Sequence, residues 1–367
     1  MKWLTNKGTP DIVFISLLGI LTIFGLVMLT SASSDLGFRQ FADSYYYLNH
    51  QLINGLLVGF IAFMVGYTTY YKAWEKMALP LLIVSIVLLI SVFTPLGINE
   101  KGSERWVNLG AFSFQPGEVL KFTFFVYLAA WAAKSQARNK NFWGGFVPLL
   151  LVLGVVMGLL FAQPATTIAI LICAAAILTY FTAGAPFKYL GVVGLLATAA
   201  VVVLVMITPY RMDRIKTFIN PSEVDELGIG YQIDKAKTAI GTGGIFGVGY
   251  GQSTGKFRLP EQIGDSIFAV IAEELGFVGS VTFLLVYASF IWRGLRIARR
   301  APDHFGRLLA TGFMSILAIQ AFVNIGAISG LIPLTGMPLP FVSYGGTALA
   351  IFLAMGGVVA NISRYRR

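Results

Sequence analysis

Charge is what this sequence has least of: Asp, Glu, Lys and Arg make up only 12% of its 367 residues. Soluble domains carry about 25%. The shortfall excludes an ordinary cytoplasmic enzyme, a disordered regulator and a nucleic-acid-binding domain. Cysteine is nearly missing, with Cys173 alone inside an apolar run, so there is neither a disulfide framework nor a cysteine metal cluster. Two histidines, His50 and His304, are too few for a multi-histidine zinc site. What fills the chain instead is apolar, 56% of all residues. An integral membrane protein is the class that remains.

Ten apolar runs are each long enough, at about 20 residues, to cross a bilayer as a helix. They fall at 12–32, 50–70, 77–96, 115–133, 145–162, 165–184, 187–208, 267–292, 306–332 and 341–362. The fourth and sixth are the weakest, since each opens on polar residues or a proline. The runs are continuous rather than alternating and longer than a barrel strand needs. The expected fold is therefore all-α: one polytopic membrane helix bundle over 1–367, with about ten transmembrane helices and a long extracytoplasmic loop at 209–266. The first run follows Lys2 and Lys7 and precedes Ser31-Ala32-Ser33, as a signal peptide would. Its apolar core of about 18 residues exceeds the usual 7–15 of a cleaved signal, so it reads as a retained helix.

An even number of spans puts both termini on one side. On that side fall 16 of the 27 Lys and Arg residues, including Lys72, Lys134, Arg296, Arg299 and Arg364, whereas the short opposite loops hold only Arg39, Lys101 and Arg105. The positive-inside rule then places both termini in the cytoplasm. Most of the net +10 is thus a solvated face near anionic lipid heads, and no nucleic-acid partner is expected.

Three outer segments are richer than connectors need to be: 97–118, 209–266 and 333–347. Their convergence on one external cavity is an expectation that rests on the span count. The run Gly241 to Gly255 is a series of tight turns and close approaches. It lacks the GK[ST] ending and preceding strand of a nucleotide loop. Lys235, Lys237, Lys256 and Arg258 stand around it and would suit a lipid-linked phosphate, or be no more than surface charges.

At the end of this loop, Asp265 stands at the mouth of a span. Partial desolvation there raises a carboxylate from about 4 toward values useful for taking a proton. The competing reading is a helix N-cap, a position Asp favours. Glu261 would lie one turn above it only if the helix began that early, which Pro260 and Gly264 oppose. Glu273 and Glu274, deeper in the span, are expected to partner buried basic groups or hydroxyls. Glu118 and Lys121, three apart, share one face of the fourth span, as a structural ion pair or as substrate-lining groups. Arg105-Trp106 joins a guanidinium to an interfacial aromatic, suited to a phosphate or sugar or to simple anchoring. The stretch Pro338 to Thr347, with Ser343 within it, implies irregular backbone, which at membrane depth must be buried or line a cavity. Gln320 and Asn324 are expected to hydrogen-bond between helices.

These constellations, in this order over ten spans, resemble the SEDS family (shape, elongation, division and sporulation). The matching stretches are Gly110 to Glu118, Gly228 to Gln232, Leu259 to Asp265, Phe268 to Gly276 and Pro338 to Gly346. Ser31 to Ser34 and Gly247 to Ser253 look more like the division branch, FtsW, than the elongation branch, RodA. The resemblance implies a glycosyltransferase that polymerises lipid II, an undecaprenyl-pyrophosphate-linked disaccharide-peptide, outside the cytoplasmic membrane. It implies pairing with a class B penicillin-binding protein, the transpeptidase, and contact with other divisome proteins and membrane lipid.

The family's essential aspartate falls on Asp265, and its fourth-span Glu and Lys on Glu118 and Lys121. The mechanism implied is a single displacement in which Asp265 deprotonates the acceptor sugar's 4-hydroxyl. Arg105, Lys256, Arg258 and Arg211 are candidates to hold the departing pyrophosphate, and Glu261 and Ser343 to contact substrate. A divalent cation, Mg or Mn, would be compatible with that task, but no ligand set is visible.

There are departures. Ile263-Gly264 replaces the family's usual His-Thr before the aspartate, Ser266 its following Phe, and Ala165 the acid at the outer end of the sixth span. A lipid II flippase or other transporter, and a scaffold that only recruits the transpeptidase, are the rival readings.

Overall fold

The computed structural model describes residues 8–100, 103–108, 110, 113–219 and 229–365. Ala111, Phe112, Gly228, Lys2, Lys7, Lys101, Arg366 and Arg367 lie outside the described residues. Helices α1 (Ile12–Phe41), α2 (Tyr46–Thr68) and α3 (Tyr71–Ser91) come first. A small sheet follows: β1 (Gly97–Glu100), β2 (Ser103–Asn108) and β3 (Ser113–Phe114). Then come α4 (Pro116–Ala133), α5 (Phe142–Ala162), α6 (Thr166–Thr182) and α7 (Phe187–Ile207). The long loop contributes α8 (Pro209–Ile219) and α9 (Ile229–Thr242), and the chain finishes with α10 (Ile267–Arg299), α11 (His304–Ile328) and α12 (Gly346–Ser363).

Eight of these helices are long and apolar enough to cross a membrane by themselves. The other two of the ten expected spans are α4 and α6, the pair whose polar openings stood out in the sequence. They pack among the rest, α4 against α3, α11 and α12, and α6 against α11 and α7. A helix surrounded by protein need not be uniformly apolar, because its polar groups find partners there rather than lipid. Burial follows the same division: 72% of the α11 span and 78% of the α12 span are buried, against 11% for α7. The core therefore runs through α4, α11 and α12, while α7 presents Leu195 and Met206 outward.

Several expected bounds shift. α1 runs nine residues past position 32 to Phe41, and Ser31, Ala32 and Ser33 are buried inside it. α3 starts at Tyr71 rather than 77, and α12 at Gly346 rather than 341. The residues before α12 are irregular, as Pro338, Pro340 and the paired glycines dictate. The sheet is the one departure from an all-helical fold among the described residues. It is antiparallel, with Ile98 opposite Trp106 and Val107 opposite Phe114.

Helix α12 packs backbone to backbone on α2. A Cβ on Gly357 would lie 2.2 Å from the Phe63 carbonyl oxygen, and one on Gly66 2.8 Å from that of Ala354. Small residues let backbones meet where no hydrophobic drive between helices exists. Gly357→Leu should therefore separate this pair, cutting the yield of folded protein and lowering the melting temperature in detergent. An unchanged melting curve would show that the contact carries no stability.

The glycine run at 241–255 has a structural duty of its own. Helix α10 is broken at Gly276, where φ is 67° and ψ −166°. The break frees the Glu273 and Glu274 carbonyls, which accept from the Val248 and Gly249 amides, each at 3.0 Å. Beyond it the Phe277 and Val278 amides donate to Gly244 and Ile245. Only glycine fits, since a Cβ on Gly247 would stand 2.1 Å from the Glu274 carbonyl oxygen. The loop's irregular backbone is thereby satisfied at membrane depth, with Tyr250 donating to the α1 carbonyl of Val27 at 2.9 Å.

Candidate active site

Asp265 lies in the turn that leads into α10. The N-cap position belongs to Ser266, whose side chain makes no capping bond, so the cap reading of Asp265 does not hold. Instead Gln232, projecting from α9, donates its amide to Asp265 Oδ1 at 3.0 Å and to Ser266 Oγ at 2.9 Å. Ser266 passes the chain on to the Pro260 carbonyl at 2.9 Å. The other carboxylate oxygen faces Gly336: a Cβ there would lie 3.8 Å from Asp265 Oδ2 and 3.7 Å from Arg214 Nη2. Asp265 and Arg214 thus flank one point of bare backbone.

The carboxyl is 9% exposed. Burial, and then the negative charge of Glu261, push its pKa up to about 7, against the pull of Gln232 and Arg214. A base poised near neutrality results. Gln232→Leu removes a bond to the charged form, so the pKa of Asp265 rises further. Any activity that depends on ionised Asp265 should then need a higher pH, while an unmoved pH profile would separate Gln232 from this carboxyl.

The three outer segments converge here. Asn324 of α11 donates to the Asp265 carbonyl at 2.8 Å and to the Met337 carbonyl at 2.7 Å. Ser343 donates to the Gly264 carbonyl at 2.6 Å, and the Tyr344 amide to the Ile263 carbonyl at 2.8 Å. The stretch 337–344 is therefore laced to the turn that holds Asp265. On its other side a small polar cavity of about 60 Å³ is lined by Arg105, Gln115, Glu118, Ala165, Thr335 and Gly336, among others. Thr167 closes it by donating to the Thr335 carbonyl at 3.1 Å.

Lys121, beneath this cavity, is fully buried. Its ammonium spends all three hydrogens, on Glu118 Oε1 at 2.7 Å, Glu118 Oε2 at 2.9 Å and Gln320 Oε1 at 2.7 Å. Gln320 in turn donates to the Pro338 carbonyl at 2.9 Å. A buried pair is tolerable when every polar atom is satisfied, and this one also supports the irregular stretch above it. Lys121 is thus a support, while Glu118 both accepts from it and faces the cavity.

The remaining predicted residues divide. Arg105 lines the cavity and donates to the Pro164 carbonyl at 2.6 Å. Glu261 is exposed beside Asp265, whose ionisation its charge opposes. Arg211 lies on α8 beside Arg214, whose charge, after burial, lowers its pKa. Lys256, expected to meet a phosphate, is instead buried, with its ammonium 2.9 Å from the Gly251 carbonyl and 3.6 Å from Glu274. It anchors the glycine loop from within. Ser343 likewise serves backbone rather than an open cleft, because it also accepts from the Leu339 amide at 2.8 Å. Arg258 lines a separate cleft.

Glu273 and Glu274 find the partners expected of them: Ser253 Oγ at 2.5 Å on the first, Ser31 Oγ at 2.5 Å and Lys256 on the second. Arg214, Gln232 and Asn324 were not singled out for this site. Arg214 stands three residues after Arg211 on one helix, and Gln232 ends one of the matching stretches; those were the available signals. Among the described residues no three His, Cys, Asp or Glu side chains cluster to hold a metal ion.

The sequence model of the FtsW, RodA and SpoVE family, described as "cell cycle protein", matches residues 11–367. A probable peptidoglycan glycosyltransferase FtsW of Trichlorobacter lovleyi is 41% identical, covering 96% of this chain and 93% of that one. Stage V sporulation protein E of Bacillus subtilis is 39% identical over 99% of both. Among solved structures, a chain from work on the coordination of polymerization and crosslinking by a peptidoglycan synthase complex superposes with a TM-score of 0.80. It is 28% identical and covers 97% of this chain and 98% of that one. The rod shape determining protein RodA of Thermus thermophilus superposes with a TM-score of 0.69, at 27% identity, over 100% of this chain and 99% of that one.

Proposed function

This chain belongs to the FtsW, RodA and SpoVE family, and from that premise we propose that it is a peptidoglycan glycosyltransferase polymerising lipid II at the outer face of the cytoplasmic membrane. The observation that carries the chemistry is Asp265: buried, held by Gln232 through one oxygen, with the other turned toward Gly336 and Arg214. Its pKa of about 7 leaves a carboxyl that is about half ionised at neutral pH and basic enough to accept a proton.

In this reading Asp265 takes the proton of the acceptor's 4-hydroxyl. The freed oxygen attacks the anomeric carbon of the donor, and the bond from that carbon to the pyrophosphate oxygen breaks. One base suffices, because pyrophosphate leaves without a protonating partner. Negative charge collecting on it is met by Arg214, with Arg211 and Arg105 as further cations around the same cleft.

Sidedness follows the charge bias, 16 basic residues against 3. Asp11 of the α1 cap, Arg293 of α10 and Ser363 of α12 meet there through bonds of 2.9 Å, so those helix ends share the face assigned to the cytoplasm. The Asp265 cleft then opens outside. A septal role in division is the favoured branch, given 41% identity to an FtsW and 39% to the sporulation protein against 27% to RodA. The partner is a class B penicillin-binding protein that crosslinks the strand, within a larger division assembly.

The test is fluorescent lipid II given to the purified chain with its transpeptidase in nanodiscs, beside a lipid translocation assay in proteoliposomes. Polymer formation supports the transferase. Translocation without polymer, from an intact complex, would favour a flippase.

A further inference from the structure

Apart from the Asp265 cleft, the outer face carries a second, larger concavity of about 450 Å³. Three cations line it: Arg39 from the outer end of α1, Lys235 from α9, and Arg258 from the turn after the glycine run. Thr238, Thr242 and Thr254 add hydroxyls. Lys235, Thr238 and Thr242 are spaced three and four apart, so α9 presents them on one face.

The guanidinium of Arg39 stands 5.6 Å over the Phe257 ring and 2.7 Å from Asp35. Lys235 lies 3.4 Å from Asp234. Each ion pair has one partner well exposed and the other half-buried, and such surface pairs hold their cations weakly. The lining's carboxylate, Glu273, is already engaged by Ser253 and by the Thr254 and Gly255 amides. The threonine hydroxyls give their protons to the Asp234 and Ala239 carbonyls and to Glu273, so it is the three cations, against one engaged carboxylate in the lining, that suit phosphate oxygens. The glycine loop that continues from α9 exposes Ile245 and Phe246, 63% and 80% accessible, an apolar surface beside the cations.

We propose that this cleft is a second phosphate site, which takes the pyrophosphate of the acceptor lipid while its sugar reaches Asp265. The inference rests on the proposed polymerase activity. A transfer between two lipid-linked sugars brings two pyrophosphates to one enzyme. The donor's must lie at the reacting carbon, whereas the acceptor keeps its own, set off from the attacking hydroxyl by the length of a disaccharide. Helix α9 joins the two places: Gln232 reaches Asp265, and Lys235, about 4.5 Å further along the axis, faces the second cleft. Anionic phospholipid offers the same headgroup chemistry, and the experiment separates the two sources.

The variant replaces Arg39, Lys235 and Arg258 with Gln; all three lie at the surface of the cleft and leave the core intact. Binding is read by native mass spectrometry in phosphatidylcholine nanodiscs, in an Asp265→Asn background so that no turnover is needed. The parent should take up two equivalents of undecaprenyl pyrophosphate, one at the Asp265 cleft, and the triple variant should bind the second at least about tenfold more weakly, a modest loss for three charge-assisted contacts. With Asp265 present, the KM for lipid II should rise by a similar factor while kcat changes little. Unchanged polyprenyl pyrophosphate binding would overturn the proposal. Loss confined to added phosphatidylglycerol would overturn it too, by assigning the cleft to membrane phospholipid. Because binding is read without catalysis, a chain that forms no polymer but loses binding would count against the polymerase reading and not against the site.

Discussion

Asp265→Asn should lower lipid II polymerisation by about 10²- to 10⁴-fold, the contribution of a positioned general base, and leave the protein folded. Asn keeps the shape of the side chain and can still accept from Gln232. Only the capacity to take a proton is lost. Stability should not fall. Burial raises the Asp265 pKa from 3.8 to about 7, so the fold disfavours its ionised form, and that penalty grows as pH climbs from its ordinary range to about 7. A neutral amide escapes the penalty, and the variant's melting temperature at pH 7 should equal or exceed that of the wild type. Size-exclusion profile, melting curve and polymer gel on the same preparation check both halves. Near-wild-type polymer from a folded Asp265→Asn protein would leave the carboxylate without a catalytic role.

Lys121→Met should have the largest effect on folding. It removes the buried ammonium on which both oxygens of Glu118 and the Gln320 carbonyl oxygen converge, stranding a carboxylate in the core. Breaking one side of such a pair costs about 3–5 kcal/mol, a large share of the roughly 5–15 kcal/mol a typical domain has. Removing both charges, with Glu118→Gln beside Lys121→Met, should restore much of that stability. Activity should not return with it, because Glu118 also lines the cavity that contains Arg105 and Gly336. Thermal unfolding of the single and double variants separates support from substrate contact. Equal melting temperatures in wild type and Lys121→Met would contradict the structural half. A fully active double variant would contradict the other.

Much of this architecture was legible before any coordinates. Continuous apolar runs mark lipid-crossing helices because nothing else in a bilayer satisfies the backbone. The two weakest runs, at α4 and α6, were weak for a physical reason. Both lie among protein neighbours, where Glu118, Lys121 and Thr167 find partners that lipid would deny them. Asp265 stood out by its place at a span mouth and by the family's motif, although Ile263-Gly264 replaces the usual His-Thr. In the fold their carbonyls accept from Tyr344 and Ser343 and the Gly264 amide donates to the Glu261 carbonyl, while the bond to the carboxylate comes from Gln232.

What escaped the sequence is what depends on contacts between distant segments. Lys256 and Ser343 were candidates for contact with a substrate. Each is consumed by main-chain carbonyls far away in the chain, Lys256 by that of Ser31 and Ser343 by that of Gly264. Arg214 looked like one basic residue among several on a polar loop, until α8 set it against Gly336 beside Asp265. The small sheet of β1, β2 and β3 has strands too short to show a clear alternation.

The most direct test of the central claim, that Asp265 is the base, is the pH dependence of the single-turnover polymerisation rate in the reconstituted complex. The rate should rise with pH along one ionisation, with its midpoint near 7, and level off above pH 8. Below the midpoint it should fall about tenfold per unit. A rate unchanged from pH 5 to 8 would mean that the essential group has an ordinary carboxylate pKa or that none is needed, and Asp265 in its buried setting would not be the base.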